Sequence, residues 1–279
     1  MRLKIPTSLV SKEWLHENLQ HENLIVLNAT IQKVGTKKEE EIDKQQIPGT
    51  IFFDLKNVFL DKEAEYPNTI PSEKHFQREV QKLGINYNSC IVVYDDIGVY
   101  SSPRVWWLFN VFGFKNIAVL NGGLKEWISA GYKTEPPKQI ERLEGNFEAS
   151  FSKDLYASAE EVLKSLKKDV SILDARSKGR FNATSPEPRE DLRGGHIPNS
   201  FSLPYSVLQE EGKMKPIEEL KKLYIDSNPE NKEMIFTCGS GITACILALG
   251  AQASGYTNYK VYDGSWTEWA SRLELPIEK

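Results

Sequence analysis

The sequence predicts an α/β fold in two tandem domains, each a mainly parallel sheet flanked by helices. Three observations predict it. The first is an internal repeat. Residues 113–135, GFKNIAVLNGGLKEWISAGYKTE, are written again at 255–278 as GYTNYKVYDGSWTEWASRLELPIE. Both read as Gly-aromatic, a short strand, a glycine turn, and a helix ending in Trp. The second is a set of short apolar runs, such as CIVVY and EMIFT, of the length and composition of buried parallel strands. The third is the helical pattern between those runs. SAEEVLKSLKK, residues 158–168, is amphipathic, with Ser158 placed as its N-cap. Strands alternating with helices imply a parallel sheet covered by helices.

The repeat orders the remaining elements. LIVLNAT at 24–30 matches VSILDAR at 170–176, and QIPGTIFFDL at 46–55 matches HIPNSFSLPY at 196–205. CIVVYDDIGVYSSPRVWWLFNVFG at 90–113 matches EMIFTCGSGITACILALGAQASG at 233–255. One fold is written twice. The expected division is a first domain over residues 1–138, a linker over 139–152 and a second domain over 153–279. The junction follows Pro136 and Pro137 and is polar, which suits a linker. The aromatic run RVWWLF at 104–109 reads as a helix packed into the first domain, because no basic groove accompanies it for base stacking. The mixed-charge run KKEEEIDK at 37–44 reads as a solvated face.

Composition excludes several classes of function. The 279 residues are 40% hydrophobic and 27% charged, which is ordinary globular material. The net charge is -4 and no long basic stretch occurs, so nucleic acid is not expected as a partner. The N-terminal stretch MRLKIPTSLVSKEWLHENL lacks the apolar core of a signal peptide, and no window approaches a membrane span. A cytoplasmic protein without a membrane partner is expected. Three cysteines, Cys90, Cys238 and Cys245, are too few for a disulfide framework. The four histidines are not clustered with them, so no metal site is expected, and nothing calls for an organic cofactor.

One cysteine stands apart. In TCGSGITAC, residues 237–245, Cys238 directly follows a strand and enters a glycine-rich turn that leads into a helix. Ligands of such sheets sit at the carboxyl ends of the strands. Gly239 and Gly241 permit backbone that a side chain would block. The amides of the turn and the positive end of the helix favour an anion, and a thiolate is an anion. The first half has Asp95 at the equivalent place and keeps Gly98 opposite Gly241, so it has the loop without the nucleophile. The second half is therefore read as catalytic and the first as supporting. Cys90 and Cys245 read as core. Cysteine phosphatases carry an arginine six residues after the nucleophile to grip the phosphate. Ala244 stands there, which argues against phosphatase chemistry.

These residues identify a family resemblance. Over essentially its whole length the chain resembles the two-domain rhodanese-like sulfurtransferases, through CGSGITAC together with SSPRVWWLF, GGLKEW, GRFNATSPEPR and GGHIPNS. The loop looks like that of the 3-mercaptopyruvate branch. The thiosulfate branch carries basic residues just after the cysteine, where Gly239 and Ser240 stand here. The resemblance implies that Cys238 takes sulfane sulfur as a persulfide, cradled by Gly239, Ser240, Gly241, Ile242 and Thr243. It implies that Arg180 and Arg189 hold the carboxylate and carbonyl of a small 2-oxo acid, which suits the fork of a guanidinium. Ser240 would assist the substrate thiol. The acceptor would be cyanide, a small thiol or thioredoxin. One departure stands out: Gln46 occupies the place read as that of the family's first-domain histidine, and glutamine does not titrate near neutral pH. His196, in the matching place of the second half, reads as structural. Two other readings stand beside this one: a thiosulfate sulfurtransferase, and a sulfur-carrier or redox module that does not turn over.

Overall fold

The computed structural model describes residues 2–32, 45–140 and 142–279, so the charged run at 37–44 lies outside the described residues. Two compact units result. The first comprises Met1–Leu60, Ile70–Phe151 and Glu211–Met214, and the second Asp61–Thr69, Ser152–Glu210 and Lys215–Lys279. The short insertions are invisible to the sequence repeat, which follows strands and helices rather than crossing segments.

In the first unit a five-stranded sheet runs in the order Leu9–Val10, Ile117–Leu120, Cys90–Tyr94, Leu24–Asn28, Ile51–Phe52. In the second unit the order is Tyr156–Ala157, Tyr259–Tyr262, Glu233–Thr237, Val170–Asp174, Ser200–Ser202. All pairings within both sheets are parallel, and the two orders coincide position by position, as the repeat predicts. Central strands of such sheets are covered on both faces and so read as unbroken apolar runs. Cys90–Tyr94 is buried at every residue, and Glu233–Thr237 at every residue after the first.

Helices cover the faces. Ser11, Ser72, Ser158 and Ser177 each cap one by accepting a hydrogen bond from a first-turn amide, which satisfies a donor the helix leaves open. Helix Ser102–Val111 packs Trp106, Trp107 and Phe109 into the first core, so the aromatic run is packing, with the Arg104 guanidinium over the Trp107 ring at 4.6 Å. Helix Ala244–Ala253 is buried from Ala244 to Ala251. That explains its composition of small and aliphatic residues without a polar face. Cys90 sits in the first core, where burial pushes its thiol up to about 11 and keeps it inert. No helix among the described residues is long and apolar enough to cross a membrane.

The topology fixes where chemistry can occur. In the second unit, strands Val170–Asp174, Glu233–Thr237 and Tyr259–Tyr262 are adjacent and end on the same side, so the loops that follow them converge.

Candidate active site

Cys238 is the first residue beyond Thr237, in register with Asp174 of the neighbouring strand. Its backbone is held twice. Its N–H donates to Ser265 Oγ at 3.1 Å, and its carbonyl accepts from Trp266 N at 2.9 Å. Ser265 has a left-handed φ of 50°, which costs a non-glycine residue strain. Its hydroxyl is buried, donates to the Tyr262 carbonyl at 2.8 Å, and lies 3.8 Å from Cys238 Sγ. The strained backbone thus places a polar group against both the amide and the sulfur of the cysteine.

The turn after Cys238 follows from its glycines, for two different reasons. Gly241 adopts φ 79°, where a side chain is strained. Gly239 needs room instead: a Cβ there would stand 3.0 Å from Arg180 Nη2. The N–H groups of Ser240, Ile242, Thr243 and Ala244 donate to no acceptor among the described residues. Thr243 and Ala244 also open the helix Ala244–Ala253, whose N-terminal end favours negative charge. Cys245 is fully buried and its thiol donates to the Gly241 carbonyl at 3.3 Å, so it packs the core and pins the turn.

Both arginines reach this turn. Ser177 caps the short helix Lys178–Phe181 and sets Arg180 against Gly239. Arg180 donates from Nη2 and Nε to Glu187 Oε2 at 2.5 and 3.1 Å. Arg189 Nη1 donates to Thr267 Oγ1 at 2.5 Å, and that hydroxyl donates to the Gly239 carbonyl at 2.6 Å. One guanidinium therefore stands directly against the residue next to the nucleophile, and the other reaches its carbonyl through Thr267.

Behind them lies a buried ionic core. Arg176 is 2% exposed; it grips Asp174 through Nε and Nη2, donates from Nη2 to the Gly195 carbonyl, and lies 4.2 Å over the Trp266 ring. Its Nη1 donates to Glu187 Oε1 at 2.8 Å.

Ser240 has a partner the sequence did not disclose. Asn68 Nδ2 donates to Ser240 Oγ at 3.0 Å and to its carbonyl at 3.1 Å. Asn68 is 8% exposed and belongs to the 61–69 segment of the second unit. Its φ of 61° is one that asparagine tolerates better than most residues. The Gln46 side chain is engaged elsewhere. Gln46 exchanges backbone hydrogen bonds with Glu135 at 2.8 and 3.0 Å, and its amide faces Glu135 Oε1 at 3.3 Å. His196 makes the same backbone pair with Glu278, and its ring stacks on Phe181 at 3.9 Å. The two positions are one closure device used in each unit.

The pattern alone would have reached Cys238 and its glycines. Asn68, Glu187, Arg176, Thr267 and Ser265 were missed, because they come from four other segments. The asparagine between Pro67 and Pro71, and the glutamate inside SPEPR, were the available signals.

Comparison with known proteins identifies the family. The rhodanese-like domain model matches twice, at residues 11–130 and 158–272. The 3-mercaptopyruvate sulfurtransferase of Escherichia coli K12 is 33% identical, covering 98% of this chain and 98% of that protein. The thiosulfate sulfurtransferase of Rattus norvegicus is 38% identical, covering 95% and 92%. The crystal structure of SseA from Escherichia coli, described as a 3-mercaptopyruvate sulfotransferase of rhodanese fold, matches with a TM-score of 0.83 at 31% identity. It covers 93% of this chain and 99% of that one.

Proposed function

The chain belongs to the rhodanese family and carries its domain twice, and on that premise we propose that it is a sulfurtransferase moving sulfur from 3-mercaptopyruvate to a thiol or cyanide. One observation carries the reading: Arg180 and, through Thr267, Arg189 both reach Gly239 beside the cysteine, and the amides of Ser240, Ile242, Thr243 and Ala244 donate to no acceptor among the described residues. The second unit, Asp61–Thr69, Ser152–Glu210 and Lys215–Lys279, carries the chemistry, and the first unit is the supporting one; the segment expected as a linker, 139–152, belongs to the first unit as far as Phe151.

In this mechanism the Cys238 thiolate attacks the sulfur of 3-mercaptopyruvate. The new bond is S–S and the bond broken is C–S. The carbon departs with the electron pair as the enolate of pyruvate and takes a proton to become pyruvate. Arg180 and Arg189 hold the carboxylate and the carbonyl oxygen, on which the enolate charge develops. The outer sulfur of the persulfide rests among the amides of residues 239–243. An acceptor thiolate or cyanide then takes that sulfur and returns Cys238 as thiolate, giving ping-pong kinetics. Ser240, oriented by Asn68, faces the substrate thiol. Asparagine orients a hydroxyl but does not relay a proton at neutral pH, so the thiol proton leaves to solvent or with the acceptor. Thioredoxin or a small thiol serves as acceptor. The described cysteines are free thiols, which suits the reducing cytoplasm.

The rat relative supports a second reading, thiosulfate as donor with sulfite as leaving group. Overall identity does not separate the two donors. The neutral Gly239 and Ser240 after the nucleophile favour the 2-oxo acid. The test is the initial rate of thiocyanate formation from cyanide with each donor. A higher kcat/KM for 3-mercaptopyruvate supports the reading. A higher value for thiosulfate reverses the donor assignment, and turnover with neither leaves a carrier.

A further inference from the structure

We propose that Glu187 sets the charge of the donor that the site accepts, by neutralising one of its two guanidiniums. The inference deepens the sulfurtransferase reading and rests on it for the identity of the donors. It rests on the geometry alone for the charge.

The argument begins with the buried ions. Asp174 and Arg176 are each almost wholly enclosed, and the grip of Arg176 on Asp174 through two nitrogens makes them a self-contained neutral pair. The Glu187 side chain is 3% exposed and divides its oxygens. Oε1 accepts from Arg176, whose charge Asp174 already balances. Oε2 accepts from Arg180 through two nitrogens. Arg180, at 24% side-chain exposure, is the cation of this group that faces outward to the cysteine turn. Glu187 therefore counters Arg180, and Arg189, beside Gly239 through Thr267, makes no ion pair with a carboxylate among the described residues. Asp174 and Glu187 against Arg176, Arg180 and Arg189 leave a formal charge of +1.

That charge matches a monoanion. A 2-oxo acid with a neutral thiol carries one negative charge, and thiosulfate carries two. The field of the cluster then adds to the neutral cysteine loop as a source of discrimination. Arg176 is a positioning residue in this scheme. It fixes Glu187 so that the carboxylate cannot swing away and release the full charge of Arg180.

The test is Glu187→Gln, which keeps shape and raises the formal charge by one. The kcat/KM ratio of thiosulfate to 3-mercaptopyruvate is expected to rise about tenfold, chiefly through KM for thiosulfate, and the rise is expected to shrink at high salt. A second readout needs no sulfur transfer: the rate of Cys238 alkylation by anionic iodoacetate relative to neutral iodoacetamide. That ratio is expected to rise about fivefold in Glu187→Gln. It is expected to return to the native value in the double variant Glu187→Gln with Arg180→Gln, which restores the net charge. If Glu187→Gln does not fold, Arg180→Gln alone is compared with the double variant, and the ratio is expected to rise from the first to the second. An unchanged alkylation ratio, with both donors impaired equally, overturns the inference and leaves Glu187 as a structural brace. A native protein inert to both donors whose alkylation ratio still rises on substitution refutes the sulfurtransferase reading and retains the charge assignment.

Discussion

The loop after strand Cys90–Tyr94 and the loop after strand Glu233–Thr237 are the same turn with different centres. In the first, the Asp95 carboxylate is fully buried. Its Oδ1 accepts from Ile97 N and Gly98 N at 3.1 and 3.0 Å. Its Oδ2 accepts from the amides of Tyr100, Ser101 and Ser102 at 2.9, 3.0 and 2.9 Å and from Ser102 Oγ at 2.7 Å. In the second, the matching amides of Ser240, Thr243 and Ala244 donate to no acceptor among the described residues, and Cys245 N donates to the Ile242 carbonyl at 3.2 Å. One cradle carries its own anion, and the other sets amide donors beside a thiol. The difference also teaches where sulfur would rest. Carboxylate oxygens lie two bonds beyond Cβ, whereas a cysteine sulfur lies one bond beyond it. A persulfide adds an S–S bond of about 2 Å and brings its outer atom to the carboxylate's reach. On the proposed mechanism, the Asp95 carboxylate would occupy in the first loop the position that the transferred sulfur would take in the second.

Exchanging the centres breaks the comparison most severely. Cys238→Ser is expected to lower thiocyanate formation by at least about a thousandfold, since the covalent intermediate is lost. Cys238→Asp, which copies the silent loop, is expected to be equally inactive yet to unfold at higher urea concentration than the serine variant. Equal midpoints for the two would refute the shared-cradle argument. Next in size is Asp95→Asn. It replaces an acceptor by an amide whose NH2 faces backbone donors, and is expected to cost about 3 kcal/mol in urea unfolding. Activity per folded molecule should stay near native. Gly239→Ala tests the second loop's need for space. Its Cβ would press on Arg180, and KM for the donor is expected to rise about tenfold with a smaller change in kcat. Asn68→Ala frees Ser240 Oγ and is expected to lower kcat about threefold to tenfold, with urea stability changed by about 1 kcal/mol. An unchanged kcat would make Ser240 a bystander.

Much of this architecture was legible because strands, glycines and repeats are local signals. CIVVY and EMIFT declare buried strands by composition, and the matching halves declare the duplicated sheet order. Cys238 was legible as the candidate nucleophile because it is joined in sequence to the turn that surrounds it. The arginines were reached through family resemblance; two guanidiniums in a polar loop carry no pattern that distinguishes them from surface charge. Asn68, Glu187 and Thr267 act through tertiary approach, and no spacing rule links residue 68 to residue 240. Gly239 was legible as a glycine position, but its reason was not. The requirement comes from Arg180, which lies far from it along the chain.

The 61–69 segment has a consequence for separability. Its residues lie early in the chain yet fold as part of the second unit, and among them is the asparagine that holds Ser240. The duplication that is plain in the sequence is therefore not a line along which the catalyst can be cut. A fragment of residues 153–279 would retain the nucleophile, both arginines and the glycine turn, yet would leave the Ser240 hydroxyl without its Asn68 donor. The repeat is a unit of sequence, and the surroundings of Ser240 draw on a segment from the other half.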